Sequence, residues 1–317
     1  MMFGFNKILR SLFSNTFIAI NIDGNICYVK VLRLKEGRIV EDFSKEFKIL
    51  EGQLPFELIK FIKNYKRRYP FSYIGVMAKT YNQGVYNPQR PEILESNGVN
   101  IRECKVLKFD NWNAYIKKNE IEEIQKQLDR FGGVDYIFSP FVITYLAIKK
   151  ELDSKSRLYI LYEKSNIAIL IANCDEVYFA GYFMIESEIS QAQEEVKYAN
   201  DLLENTFDIM EELEDFEDFE DFDFFNENKE EEEVEQTIQD MNQASIVAGI
   251  IQNSLNEFYS NDLYEEKFVE EIVILDNVGI SNEGLKYIAD TTLMDIKKEQ
   301  FDLMQELLAI IQVEFGL

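Results

Sequence analysis

Two aspartates stand where short apolar runs give way to turn residues, and they are the chain's best candidates for metal or phosphate chemistry. Asp23 ends the run Thr16–Asp23 ahead of Gly24-Asn25, and Asp276 follows Ile272-Val273-Ile274-Leu275 ahead of Asn277-Val278-Gly279. A carboxylate so placed could face a Mg²⁺ ion beside a phosphate. The plainer reading of each is a turn aspartate that caps its own loop. Other chemistries are narrowed by composition. The chain has no histidine, which excludes Ser-His-Asp and Cys-His catalysis and any His-ligated metal site within it. Its three cysteines, Cys27, Cys104 and Cys174, are odd in number and widely spaced, so they form neither a disulfide framework nor a zinc pattern. That usage points to a reducing cytosol. Neither a Walker A loop nor a GxGxxG motif occurs. A hydrolase built on paired carboxylates has no support beyond the abundance of Asp and Glu.

The elements that would position these residues come in a repeated order. A three-strand meander runs over Phe17–Lys48, with Gly24-Asn25 as a tight turn, and a second runs over Arg157–Met184 through strands at Arg157–Tyr162, Asn166–Ala172 and Val177–Met184. Each is followed by a helix and by further strand and helix signals. In the first half these are a helix at Pro55–Tyr69 stopped by Pro70, a strand at Tyr73–Met77, a helix at Ile121–Arg130, a strand at Val134–Phe138 and a helix at Phe141–Leu152. In the second they are helices at Ser187–Leu203 and Ile238–Phe258, a strand at Glu271–Leu275, a short helix at Glu283–Ala289, a short strand at Thr292–Asp295 and a closing helix at Phe301–Val313. Two meander-plus-helix lobes predict an α/β, two-lobed actin-like (RNase H-like) fold, with mixed sheets flanked by helices and a cleft that normally holds ATP. The expected division is an apolar-basic segment at 1–15, lobe 1 at 16–152 and lobe 2 at 153–317. Lobe 1 carries an irregular inserted subdomain at about 80–119, with one strand at Arg102–Phe109. The 317 residues, 46% of them hydrophobic, suffice for such cores.

Charge is unevenly divided. Residues 1–150 hold 24 Lys+Arg and 16 Asp+Glu, a balance of +8; residues 151–317 hold 9 and 42, a balance of -33. The acidic half argues against nucleic acid as a general partner, and the asymmetry suggests a separate partner for each surface. Much of the excess lies in Glu211–Glu235, with 15 acidic residues, one Lys, and Phe216, Phe219 and Phe222 inside Glu-Asp-Phe repeats. Repulsion at this density predicts a disordered loop in lobe 2. It reads either as a solvated insertion or as a docking segment for a basic surface. Met1–Phe13 places Phe5, Ile8, Leu9 and Leu12 at helical spacing with Lys7 and Arg10 between them. It reads either as a helix resting on an anionic membrane surface or as a frayed start packed on lobe 1. The longest uncharged apolar stretches span about ten residues where a membrane-crossing helix needs roughly 20. No cleavable signal peptide is evident.

This layout, with the apolar-basic start leading into Phe17-Ile18-Ala19-Ile20-Asn21-Ile22-Asp23-Gly24, resembles the PilM family of type IV pilus assembly and the cytoplasmic domain of the related GspL proteins of type II secretion. The likeness covers nearly the whole chain, by layout more than by motif. The family's first hairpin reads approximately Gly-Ile-Asp-Ile-Gly, then small hydroxyl residues, then Val-Lys. Val29-Lys30 matches it. The Asp becomes Asn21, the phosphate-facing Gly becomes Asp23, and the hydroxyl positions become Gly24, Asn25 and Ile26. The second lobe's Asp-Ile-Gly is replaced within Ile160-Leu161-Tyr162-Glu163-Lys164-Ser165, which puts Tyr162 and Glu163 where amides should cradle phosphate. Of the family's adenosine-side glycine run only Gly279 is present, after Asp276. Leu285-Lys286-Tyr287-Ile288 and Ser254–Ser260 match the family's helices.

The resemblance implies a cytoplasmic scaffold, peripheral at the inner face of the inner membrane. It would dock the N-terminal tail of a bitopic, PilN-like membrane protein in a groove between lobe 1 and its insert, and assemble into a ring or arc. The machine could be a pilus, a secretion or DNA-uptake system, or a flagellar motor. With all three nucleotide elements altered, Asn21, Asp23, Gly24, Asn25, Asp276 and Gly279 are expected to form a vestigial nucleotide site. The chain is then a pseudo-ATPase, not expected to hold ATP or Mg²⁺ and with no metal site. The alternative is a nucleotide-binding actin-like ATPase that acts as an assembly factor.

Overall fold

The first meander is built by alternation. In a computed structural model, which describes residues 13–50, 53–185, 227–264 and 267–316, β1 (Asn15–Asp23), β2 (Ile26–Lys35) and β3 (Arg38–Lys48) pair antiparallel in sequence. Helix α1 (Phe56–Arg68) follows, with Glu57 in its first turn and Lys66, Arg67 and Arg68 in its last, each sign suited to the local helix dipole. Its Leu58 and Ile62 are buried in a core with Ile18, Ile20, Val29, Val31 and Phe131. Strand β4 (Ser72–Met77) then pairs parallel to β1.

The insert is a small sheet. Strand β5 (Gln83–Tyr86), helix α2 (Glu92–Ser96), β6 (Cys104–Lys108) and β7 (Asn113–Lys117) give a three-stranded antiparallel sheet in the order β5-β7-β6. Periodicity finds one strand where there are three. The missed two are four and five residues long, and β5 carries Gly84, so their pairing comes from the tertiary partner. Helix α3 (Lys118–Leu128), β8 (Tyr136–Phe138) and α4 (Pro140–Ile148) return the chain to the first sheet. Helix α4 is apolar on every side and buries Phe141, Val142, Ile143 and Ile148.

The second sheet repeats the first. Strands β9 (Ser156–Tyr162), β10 (Asn166–Ala172) and β11 (Val177–Met184) form its meander side. Every residue of β10 is buried, the mark of a strand covered on both faces. After helix α5 (Glu227–Ser260), β12 (Val269–Asp276) pairs parallel to β9. Helix α6 (Asn282–Thr292) and β13 (Ile296–Gln300), parallel to β12, follow, and α7 (Leu303–Phe315) closes the chain. The sheet orders β3-β2-β1-β4-β8 and β11-β10-β9-β12-β13 are the same pattern twice, so this is the two-lobed actin-like α/β fold. Among the described residues no helix is long and apolar enough to cross a membrane.

Two expectations shift. The strand expected at Thr292–Asp295 lies at Ile296–Gln300, because α6 runs through Thr292 and ends where Leu293 adopts φ +54°. The residues Ile-Lys-Lys-Glu-Gln carry no strand pattern of their own, and pairing with β12 makes them one. The acidic stretch is not wholly loop: α5 begins at Glu227, so its last nine residues are helical, as a run rich in Glu permits. The rest of that stretch, the expected helix at Ser187–Leu203 and the apolar-basic start through residue 12 lie outside the described residues.

By contacts the chain forms two compact units. One runs to Phe183 and includes Asn256–Gly279 and the residues from Met294 onward; it holds the three sheets. The other takes Met184–Leu255 and Ile280–Leu293. Within the latter, α5 and α6 meet through Gln252, which donates to the Thr291 carbonyl at 2.8 Å, and through Tyr287, which donates to Ser245 Oγ at 3.4 Å.

Close packing of α7 on the first sheet depends on Gly75 in β4. A Cβ there would lie 2.5 Å from Ile311 Cδ1, 2.6 Å from its Cγ1 and 3.2 Å from the Phe138 ring. Gly75→Ala is expected to cost about 1–3 kcal/mol of stability through overpacking, read as a lower urea midpoint with an unchanged slope.

Candidate functional site

The loops that end β1 and β9 meet. Asp23 ends β1, and Gly24 at φ +57° allows the two-residue hairpin turn to β2. Facing it is the turn from β9 to β10, closed by Glu163 N donating to the Asn166 carbonyl at 3.0 Å. The backbone amides of Lys164 and Ser165 both point out of this turn, and both donate to Asp23: Lys164 N to Oδ2 at 2.9 Å and Ser165 N to Oδ1 at 2.8 Å. Ser165 Oγ adds a third bond to Oδ1 at 2.6 Å and accepts from Gly24 N at 3.1 Å. Two successive amides converging on one anion form the kind of nest that binds phosphate oxygens. Here the anion is the protein's own carboxylate.

A second buried contact lies beside the first. Asn21 Nδ2 donates to Glu163 Oε1 at 2.5 Å, and Lys79 Nζ stands 2.9 Å from Glu163 Oε2. The Lys79–Glu163 contact is a buried ion pair. Glu163 has no exposure at all, and Asn21 and Asp23 are 2% and 4% exposed. Burial, opposed by Lys79 and reinforced by the Asp23 charge, holds the Glu163 carboxyl above its usual range. Tyr182 is buried nearby with its hydroxyl unbonded among the described residues. Burial and then the Glu163 and Asp23 charges push its phenol well above its ordinary value. Burial pushes the Cys27 thiol up to about 12, which makes it an inert core residue.

The six sequence candidates separate. Asn21, Asp23 and Gly24 are brought together. Asn25 is exposed on the far side of the turn, where its carbonyl accepts from Ile49 N at 2.7 Å. Asp276 caps its own loop: Oδ1 accepts from Val278 N at 3.0 Å and Gly279 N at 2.7 Å, with Gly279 at φ +100°. Lys298 Nζ is 3.8 Å from its other oxygen. That loop joins the β9 end through Asn277 N, which donates to the Tyr162 carbonyl at 3.2 Å. An open cleft of about 440 Å³ lies alongside, lined by Asp23, Lys30, Lys164, Asn277 and Asp302. Among the described residues no group of three or more Cys, Asp or Glu is set to hold a metal ion. Sequence reasoning missed Lys79, Ser165 and Tyr182. The available signal was Lys79's place just past the carboxyl end of a parallel strand, where α/β sheets carry their sites.

A separate groove runs between two sheet edges. Among the described residues, strand β6 is one edge of the insert and β8 one edge of the first sheet. Between them Val106, Leu107, Ile116, Ile137, Phe138 and Val142 line an apolar space of about 160 Å³, with Lys105 at its side.

Comparison with known proteins gives the fold and leaves the activity open. A family model described as Domain of unknown function (DUF8341) matches residues 158–316, and one described as Domain of unknown function (DUF8569) matches residues 13–145. No curated protein matches the chain. Among solved structures, a chain of the PilM-PilN type IV pilus biogenesis complex is similar at a TM-score of 0.53 and 10% identity, covering 93% of this chain and 98% of that one. A Bacteroides thetaiotaomicron protein described as having an actin-like ATPase fold and unknown function reaches 0.44 at 13% identity, over 93% and 96%. The ethanolamine utilization protein EutJ from Carboxydothermus hydrogenoformans reaches 0.43 at 9%, over 93% and 89%.

Removing the carboxylate leaves two amides unpaired, so Asp23→Ala is expected to lower stability by on the order of 2–3 kcal/mol, measured by denaturant unfolding. Glu163 has a distinct signature. Its carboxyl binds a proton more readily folded than unfolded, so this contribution to stability is full below the unfolded value. It is lost as pH rises through the raised folded value. The stability difference between the native chain and Glu163→Gln should therefore shift toward the native chain on acidification; a flat difference across that range contradicts the burial argument.

Proposed function

The chain belongs to the family described as Domain of unknown function (DUF8341), and we propose that it is a non-catalytic, PilM-like scaffold that has exchanged nucleotide turnover for a fixed internal latch. The observation that carries this is Asp23 seated on the amides of Lys164 and Ser165. In an ATP-dependent member of such a fold these turns face the phosphates. Here a carboxylate satisfies them, and a second anion, Glu163, lies beside it. A phosphate entering would have to displace one anion and approach another, with Lys79 already committed to Glu163.

The binding half of the proposal is the groove between β6 and β8. Two free strand edges over an apolar floor suit an extended peptide held by main-chain pairing and alternate side chains. The likeness to a chain of the PilM-PilN complex supports a PilN-like partner, and the peptide we assign to the groove is the N-terminal tail of such a bitopic membrane protein. The scaffold would then work in the cytoplasm, peripheral to the inner membrane, with its basic first half toward anionic lipid.

Calorimetric titration with ATP-Mg²⁺, after dialysis that strips carried-over nucleotide, tests the latch directly. The native chain is expected to give no binding heat. Asp23→Gly frees both amides and is expected to gain measurable affinity for ATP or inorganic phosphate. Micromolar binding by the native chain would replace the scaffold reading with that of a nucleotide-gated assembly factor.

A further inference from the structure

We propose that strand β3 is a self-association edge, on which a second copy of this chain pairs antiparallel about a two-fold axis at Phe43. Strand β3 is the outermost strand of the first sheet, and no described strand pairs with its far side. At 11 residues it is the longest strand among the described residues, with no proline within it. A long edge of this kind is a template for another strand unless something blunts it.

The geometry selects the segment and the register. Opposite Arg33 and Leu34 stand Glu41 and Ile39, so Val40 is a bulged extra residue, and regular pairing is available only from Glu41 onward. At the other end Ile49 N donates to the Asn25 carbonyl at 2.7 Å, so Ile49 turns its main-chain groups toward β2. Alternation then turns Phe47, Lys45 and Phe43 the same way and turns Asp42, Ser44, Glu46 and Lys48 outward. All four outward residues are exposed.

A two-fold pairing of these outward groups can be centred on Phe43, Ser44 or Lys45. Centring on Ser44 sets Asp42 opposite the partner's Glu46, like charges in directly opposed positions. Centring on Lys45 sets Asp42 opposite the partner's Lys48 but presses Lys45 against its own copy at the axis, a like-charge contact that the Phe43 register lacks. Centring on Phe43 joins the Asp42 and Ser44 main chains of the two copies and places Glu41 opposite the partner's Lys45, twice by symmetry. Opposed charges of unlike sign stabilise a cross-strand pair and like charges oppose it, so the Phe43 register is the favoured one. Both groups are already held near the strand: Glu41 accepts from Arg33 Nε at 2.8 Å and Tyr65 OH at 2.5 Å, and Lys45 Nζ lies 4.9 Å from the Phe47 ring centre. Lysine ordinarily blunts an edge; here its partner across the axis is a preset carboxylate.

Sedimentation velocity of the full chain over a rising concentration series tests this edge independently of the latch and of the tail groove. The native chain is expected to pass from monomer to dimer. Ser44→Pro removes an outward N–H while leaving the β2 ladder whole, and should weaken dimerisation by at least about tenfold. Lys45→Glu sets two acidic pairs across the axis and should do the same, with thermal melting confirming that each variant folds. A chain that stays monomeric throughout overturns the proposal. So does a dimer that survives both variants, and one lost in Ser44→Pro but kept in Lys45→Glu overturns the register.

Discussion

One carboxylate organises the centre of this molecule. Asp23 takes three hydrogen bonds from a turn 141 and 142 residues further along the chain, two of them from backbone amides that point away from their own strands. A buried amide without a partner is costly, and so is a buried carboxylate without donors. Each side therefore resolves the other's deficit, and the first and second meanders are tied at their tips. Asn21 and Glu163 repeat the arrangement one step deeper, with Lys79 balancing one of the two negative charges. What would be an anion-binding mouth becomes a structural joint.

The joint can exist because both meanders end in tight turns at matching places. Their sheets have the same strand order, and parallel strands follow each hairpin on the same side. In such sheets the loops at the carboxyl ends of the strands gather along one line, which is where α/β proteins put ligands. Asp276 sits on that line too, yet its side chain folds back on Val278 and Gly279 and stabilises its own loop. Asp23, Glu163 and Asp276 thus each have internal donors.

Outside the joint, the fold leaves strand edges available. Three of them, β3, β6 and β8, lack a second strand partner among the described residues and have a defined chemical setting. The β6 and β8 edges enclose an apolar groove. The β3 edge carries alternating unlike charges beyond a bulge.

Sequence alone determined a good deal here. The turn pair Gly24-Asn25, the alternating β-branched runs and the second meander at Arg157–Met184 were local patterns, and they sufficed for the repeated lobes because hydrophobic period and turn chemistry act over a few residues. It was the resemblance to the PilM family's hairpins, not these patterns, that marked Asn21, Asp23 and Glu163 as departures from a phosphate site. Short polar strands escaped: β13, with Ile-Lys-Lys-Glu-Gln, and β5, with its glycine, owe their conformation to a neighbour's ladder and not to their own composition. The reach of Asp23 to Lys164 and Ser165, and of Lys79 to Glu163, was decided only by the tertiary structure. A hydrogen bond between residues so far apart depends on how two sheets are set against each other, and no local pattern in either segment encodes that distance.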